Sequence, residues 1–251
     1  MKDIIIKITV AATFVLMVTL NSLANILPIN GLTTGAISDS YPNLFAPAGI
    51  TFSIWGLIYL LLAIYTVYQF TTKNKLIDKM NPYFIATSIA NSLWIYSWHY
   101  RHIGVSVLLI IIILFSLIKI ADLLNKEKFT LREKLCVRLP FSVYFGWLTV
   151  AVIANITTFI VSLNWNRFGF PDQMWAIIIL LVGAAIGIIR TFKDRGVAYG
   201  LVLIWAYLGI LIKHTSSTGF AAQYPAVILA TLFCFIAFLT TEVLLVLKKQ
   251  F

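Results

Sequence analysis

The sequence predicts an all-α fold: a polytopic transmembrane helix bundle of about eight spans, with the N and C termini cytoplasmic. Three observations carry this reading. Of the 251 residues, 61% are hydrophobic and only 11% are charged, less than half the ~25% charged share of a soluble domain. Mean hydropathy is +0.94, and several apolar blocks reach the ~20 residues that cross a hydrocarbon core. Of the 19 basic residues, 16 gather at the chain ends and in the connectors of one side, as the positive-inside rule requires.

Taken in order, the blocks are roughly 4–27, 49–70, 82–99, 103–121, 139–163, 172–190, 197–213 and 223–247. All must be helical, because an unpaired backbone amide is too costly in lipid and no block alternates as a barrel strand would. The first block follows Lys2 and Lys7, and Ser22-Leu23-Ala24 faintly resembles a signal-peptide cleavage site. Apolar residues continue to Leu27, however, longer than a usual signal core, so the block reads as a retained span. The connector from Pro28 to Ala48 has no Lys or Arg and contains Gly31, Gly35, Asp39, Pro42 and Pro47. Such a segment is either a plain connector or a lid over a cavity mouth. The third connector is only His99-Tyr100-Arg101-His102. Of the 19 basic residues, all but Arg101, Arg167 and Lys213 fall at the chain ends or in alternate connectors, which orients the bundle with both ends inside.

The formal net charge of +10 follows from this asymmetry, so nucleic acid is not an expected partner. Cys136 and Cys234 form no Cys-x-x-Cys motif and read as free thiols. Ionisable residues within spans would mark function, but few occur. Glu242 is expected to reach water near Lys248, and Lys213 to snorkel from an outer helix end. Without a mid-membrane carboxylate, a proton-coupled pump is disfavoured. His99 and His102, three apart, would bind metal only if their connector were helical, and read as solvated loop residues instead. No phosphate loop, nucleophile elbow or zinc-protease motif is found.

The tryptophans divide by depth. Trp165 and Trp175 flank an outer connector and read as interfacial anchors. Trp55, Trp94, Trp147 and Trp205 fall deeper, where an indole N–H needs a partner. Helical spacing puts Thr51, Trp55 and Tyr59 on one face of the second span and Asn91, Trp94 and Trp98 on one face of the third. Tyr144, Trp147, Ala151 and Asn155 share a face of the fifth, and Asn21 and Asn25 pair on the first. Converging stripes would enclose an aromatic cavity suited to a flat apolar ligand. Equally, they would serve as polar glue between helices.

These residues carry a resemblance. Pro47-Ala-Gly-Ile-Thr-Phe-Ser-Ile-Trp55-Gly-Leu-Ile-Tyr59 resembles the second-helix signature of the tryptophan-rich sensory proteins, the TspO/MBR family that includes the translocator protein or peripheral-type benzodiazepine receptor. Asn91-Ser-Leu-Trp94 is similar to its third-helix motif, and the run from Pro140 through Tyr144, Trp147 and Ala151 to Asn155 to its fifth-helix pattern. Two departures are visible. Leu44-Phe45-Ala46-Pro47 stands where the family has Trp-x-Pro-Pro, and the Pro-Tyr lead is stretched to Pro140 and Tyr144. The resemblance covers about residues 5–163. It implies a five-helix unit over 1–163, with 164–251 as an additional three-helix segment.

The resemblance also implies a function. The chain is expected to be a membrane ligand-binding protein, a sensor or carrier, that takes a flat hydrophobic molecule such as a porphyrin beneath a first-connector lid. The expected ligand-binding residues are Trp55, Tyr59, Asn91, Trp94, Trp147, Ala151 and Asn155. No catalytic residue, metal or resident cofactor is expected, and porphyrin or haem would be a ligand. Expected partners are membrane lipids and the hydrophobic small molecule, with a homodimer left open, and the expected location is the bacterial cytoplasmic membrane. Two alternatives remain at this stage: a secondary transporter of another small organic solute, and a membrane enzyme acting on a lipophilic substrate.

Overall fold

The computed structural model describes residues 2–165 and 169–248. Arg167 and Lys249, both counted in the charge asymmetry, lie outside the described residues. Among the described residues there are eight long helices: α1 (Lys2–Ile26), α3 (Ile54–Tyr68), α4 (Lys75–His99), α5 (Ile103–Leu124), α7 (Leu139–Ser162), α8 (Asp172–Asp194), α9 (Val197–Thr215) and α10 (Pro225–Leu247). Two short helices join them, α2 (Thr34–Asp39) in the first connector and α6 (Leu131–Glu133) before α7. Among the described residues there is no strand.

Local chemistry explains the boundaries. Asn74 caps α4 by accepting from the Leu76 N–H at 2.9 Å. The third span therefore begins at Lys75, not near residue 82, and Pro82 lies inside the helix. The polar run Lys75–Asn81 hid this extension from a hydropathy reading. A capping box closes on α6, where Thr130 and Glu133 satisfy each other's backbone N–H groups. The chain then widens into a π-turn over Lys134–Arg138. That turn makes room for the Pro140 ring, which would otherwise press on the carbonyl four residues earlier.

Among the described residues, seven segments are long and apolar enough to cross a membrane. The exception is α4, whose Asn81, Thr87, Ser88, Asn91, Ser92 and Ser97 are all buried. Packed between α1 and α5, it turns these groups toward protein, where they can find partners, and not toward lipid. Its two ends still reach opposite ends of the bundle. At one end Tyr65 Oη donates to Asn81 Oδ1 at 2.7 Å, Asn81 Nδ2 donates to Gln69 Oε1 at 3.0 Å, and Lys7 Nζ donates to Thr72 O at 2.8 Å. At the other end His99 meets the first connector. The remaining helices alternate the same way, and exposed apolar faces such as Leu108, Ile112 and Phe115 of α5 or Leu229, Phe233 and Ile236 of α10 supply a lipid-facing surface.

The inner, basic end is tied across helices. Arg190 Nε and Nη2 reach Asp194 at 2.6 Å and Asp122 at 3.0 Å. Arg138 donates to the Asp194 carbonyl at 2.6 Å, and Asn125 donates to the Asp194 carboxylate at 2.7 Å. This cluster joins α5 and α7 to α8. Higher up, α9 packs closely on α7 because Gly146 has no side chain: a Cβ there would sit 2.8 Å from the Tyr199 carbonyl.

One expectation is overturned here. Glu242 does not reach water. It is 7% exposed, both carboxylate oxygens lack a partner among the described residues, and it lies against Gly200, where a Cβ would fall on its Oε1.

Candidate functional site: an aromatic cavity beneath the first connector

The first connector folds over the outer end of α4 as a lid. Thr33 caps α2 by accepting from the Ala36 N–H at 3.3 Å. Thr34 then makes three ties: its N–H donates to Asn25 Oδ1 at 3.2 Å, its carbonyl accepts from Trp98 Nε1 at 3.2 Å, and its hydroxyl lies 3.1 Å from His99 Nε2. His99 Nδ1 lies 2.9 Å from the Ile29 carbonyl, which can only accept. Nδ1 therefore carries a proton, and in the neutral ring Nε2 accepts from Thr34. His99 is 1% exposed, so it is a buried anchor of the lid and not a solvated loop residue. Among the described residues, no group of three His, Cys, Asp or Glu is placed to hold a metal.

The second half of the connector is clamped by α9. The Ala48 N–H donates to the Gly209 carbonyl at 3.0 Å, Trp205 Nε1 donates to the Thr51 carbonyl at 3.0 Å, and His214 Nε2 lies 2.8 Å from the Leu44 carbonyl. A Cβ at Gly209 would collide with the Thr51 side chain. The helices that follow residue 163 thus help to hold the lid in place.

Below the lid is a cavity of about 30 Å3, room for about two waters. Of the residues expected to bind a ligand, Trp55, Trp94, Trp147, Ala151 and Asn155 line it. The lid contributes Thr34, Ser38 and Pro47. The aromatic walls touch one another. The Trp55 ring lies 6.4 Å from Trp94 and 6.2 Å from Trp147, Phe52 packs edge-on to Trp147 at 5.8 Å, and Trp94 stacks on Trp98 at 5.7 Å.

Two expected residues lie elsewhere. Asn91 is buried away from the cavity, where its Oδ1 accepts from Asn21 Nδ2 at 2.7 Å and its Nδ2 points to Tyr144 Oη at 3.5 Å. This amide glues α1, α4 and α7 together. Tyr59 stacks on Trp55 at 5.5 Å, behind the cavity wall. Asn155 reaches the cavity, but both ends of its amide are engaged: Trp94 Nε1 donates to it at 2.8 Å, and it donates to Ser106 Oγ at 2.9 Å. Sequence reasoning missed Phe52, Ala154 and Thr158, which also line the cavity. Ala154 and Thr158 continue the Ala151 stripe by one further turn.

One polar group in the wall is unspent. Trp147 is 2% exposed, and its indole N–H has no partner among the described residues. A buried donor without an acceptor costs about 1–3 kcal/mol. The cavity wall therefore combines flat aromatic surface with a residue whose donor is unspent, a combination suited to an apolar ring system that carries an acceptor atom.

Comparison with known proteins gives one family. The family model described as TSPO-like protein matches residues 7–244, a stretch that reaches all eight long helices. No curated protein and no solved structure matches the chain.

Proposed function

Because the chain belongs to the TSPO-like protein family and is a multi-pass integral membrane protein, we propose that it binds a flat hydrophobic ligand such as a porphyrin in the aromatic cavity, as a sensor or carrier that does not transform it. The observation that carries this reading is the indole N–H of Trp147, without a partner among the described residues, in a wall that gathers four tryptophans and Phe52. The bacterial cytoplasmic membrane is the proposed location.

A tetrapyrrole is far larger than a cavity of about 30 Å3. Binding then requires the lid to withdraw. The lid's hold on α4 is a set of hydrogen bonds joining Trp98 and His99 to Thr34, the His99 ring to the Ile29 carbonyl and Asn30 to the His99 carbonyl, worth about 1 kcal/mol each. Its other half stays clamped to α9, and the Lys213–Asp39 ion pair ties the last residue of α2 there too, so the Thr34 end of α2 is the part that opens. The ligand would gain by stacking on Trp55 and Trp94 and by giving Trp147 the acceptor it lacks.

The test is an absorbance titration of the purified protein with protoporphyrin, run beside a flux assay in sealed vesicles. Saturable binding, with no ligand consumed and no flux, supports the sensor reading. Uptake into vesicles would mark a transporter and consumption of ligand an enzyme. No saturable binding at all would sink the proposal.

A further inference from the structure

Helix α7 separates two cavities. Ala151, Ala154, Asn155 and Thr158 face the aromatic cavity, whereas Ile153, Ile156, Thr157 and Ile160 face a second one. The two sets are each spaced i, i+3, i+4, i+7 and offset by two residues, so they occupy different faces of the helix. The second cavity is a wedge. At its inner tip α7 and α8 touch: a Cβ on Gly183 would lie 3.1 Å from Ile153 Cδ1. Toward the outer end they part, leaving about 290 Å3, near the lower end of the ~300–1,000 Å3 of small-molecule sites. Trp175, Ala176 and Ile179 form the α8 wall, and Trp165 packs 5.3 Å from Trp175. These two tryptophans, expected at a membrane interface, also line the wedge.

The roof is polar on its far side. Pro42, Asn43 and Phe220 border both the wedge and an adjoining cavity of about 220 Å3, which also contains Ser38, Thr218 and the Lys213–Asp39 ion pair at 2.7 Å. Asn43 stands at the junction. Its Oδ1 accepts from the Phe45 N–H at 3.0 Å, while its Nδ2 is buried with no acceptor among the described residues. The lining thus grades from aliphatic and aromatic at depth to polar and charged at its mouth, where Asp172 also borders the wedge, with the Asn43 donor between.

We propose that this wedge is a second binding site, for a small amphiphile whose apolar body lies between α7 and α8 and whose carboxylate or carbonyl oxygen accepts from Asn43 Nδ2. The shape matches such a molecule at both ends. The apolar body replaces space that lipid or nothing would fill, and the oxygen satisfies a donor that is otherwise desolvated without return. Lys213 is already paired with Asp39, and Asp172 lines the wedge, so the hydrogen bond to Asn43 and not net charge selects the head. This site is distinct from the aromatic cavity and stands whether or not porphyrin binds there.

The experiment is a titration with dansylaminoundecanoic acid of the full chain in phosphatidylcholine nanodiscs, read as tryptophan-sensitised dansyl emission. Saturable emission, displaced by undecanoic acid, is expected. Ala176→Phe should fill the wedge, and Asn43→Asp should keep the acceptor for Phe45 while replacing the donor with a repelling oxygen. Each is expected to weaken binding about tenfold or more, while Ala151→Phe, which fills the other cavity, leaves it unchanged. Emission that rises without saturation, equally in all variants, would mean simple partition into the bilayer and overturn the proposal. So would loss of binding in Ala151→Phe with retention in Ala176→Phe. Should Ala176→Phe fail to elute as a monodisperse species, Asn43→Asp decides alone, and unchanged affinity there overturns the proposal.

Discussion

Replacing Trp147 by Phe separates the two effects the cavity assigns to that residue. The ring is buried and sits edge-on to Phe52 at 5.8 Å and to Trp55 at 6.2 Å. Phe preserves an aromatic face at both contacts but deletes the N–H, which has no acceptor. Removing an unsatisfied buried donor returns about 1–3 kcal/mol, and losing part of a large ring costs a similar amount. Stability should therefore stay within about 1 kcal/mol of the parent. Trp94→Phe is the matched comparison. It deletes a donor that is in use and strands Asn155 Oδ1, for an expected loss of about 1–3 kcal/mol. Binding should move in the other direction. Trp147→Phe should weaken protoporphyrin about fivefold, the value of a hydrogen bond of about 1 kcal/mol. Apparent Tm in detergent and an absorbance titration on the same samples give both readouts. If Trp147→Phe lowers Tm as much as Trp94→Phe and leaves affinity unchanged, the indole N–H is spent within the protein and the argument from it fails.

Other perturbations test the frame around the site. Glu242→Met removes two unpartnered oxygens from a buried position and should raise stability by about 1–3 kcal/mol; a lower Tm would show that the carboxyl group has a structural partner. Gly209→Ala drives a Cβ into Thr51 and should cost about 1–3 kcal/mol of stability while loosening the lid; an unchanged Tm would show that α9 does not clamp the connector. Residues 1–163 and 164–251, co-expressed as separate pieces, should co-purify through the Arg190–Asp122 and Trp205–Thr51 contacts and retain porphyrin binding. Pieces that fail to associate would show that the division does not fall between two units.

The bundle was readable in advance because lipid allows so little else. Apolar blocks of spanning length must be helices, and basic connectors orient them. What hydropathy could not place was the start of α4, since Lys75 to Asn81 look like a loop until Asn74 caps them and buried Asn81 finds Tyr65 and Gln69. The site divided similarly. Periodicity alone put Trp94, Trp147, Ala151 and Asn155 on faces that do converge. It could not say that Asn91 would be consumed by Asn21, seventy residues away, because a side-chain amide shows its face but not its partner. Trp165 and Trp175 carried the composition of interfacial anchors, and only the divergence of α7 from α8 reveals the space they line. Glu242 misled by its nearness in sequence to Lys248; the close approach of Gly200 is what encloses it.

The central claim is that a ligand sits among Trp55, Trp94 and Trp147 beneath the α2 lid. Its most direct test is the protoporphyrin dissociation constant measured across three folded, monodisperse variants. Trp147→Ala removes a wall of the cavity and should weaken binding by about 1–3 kcal/mol, up to roughly 150-fold. Ala151→Phe should abolish binding by filling the space. Trp175→Ala, on the far side of α7, should leave affinity unchanged. If Trp175→Ala weakens binding as much as Trp147→Ala does, the ligand lies outside the aromatic cavity and the account is wrong.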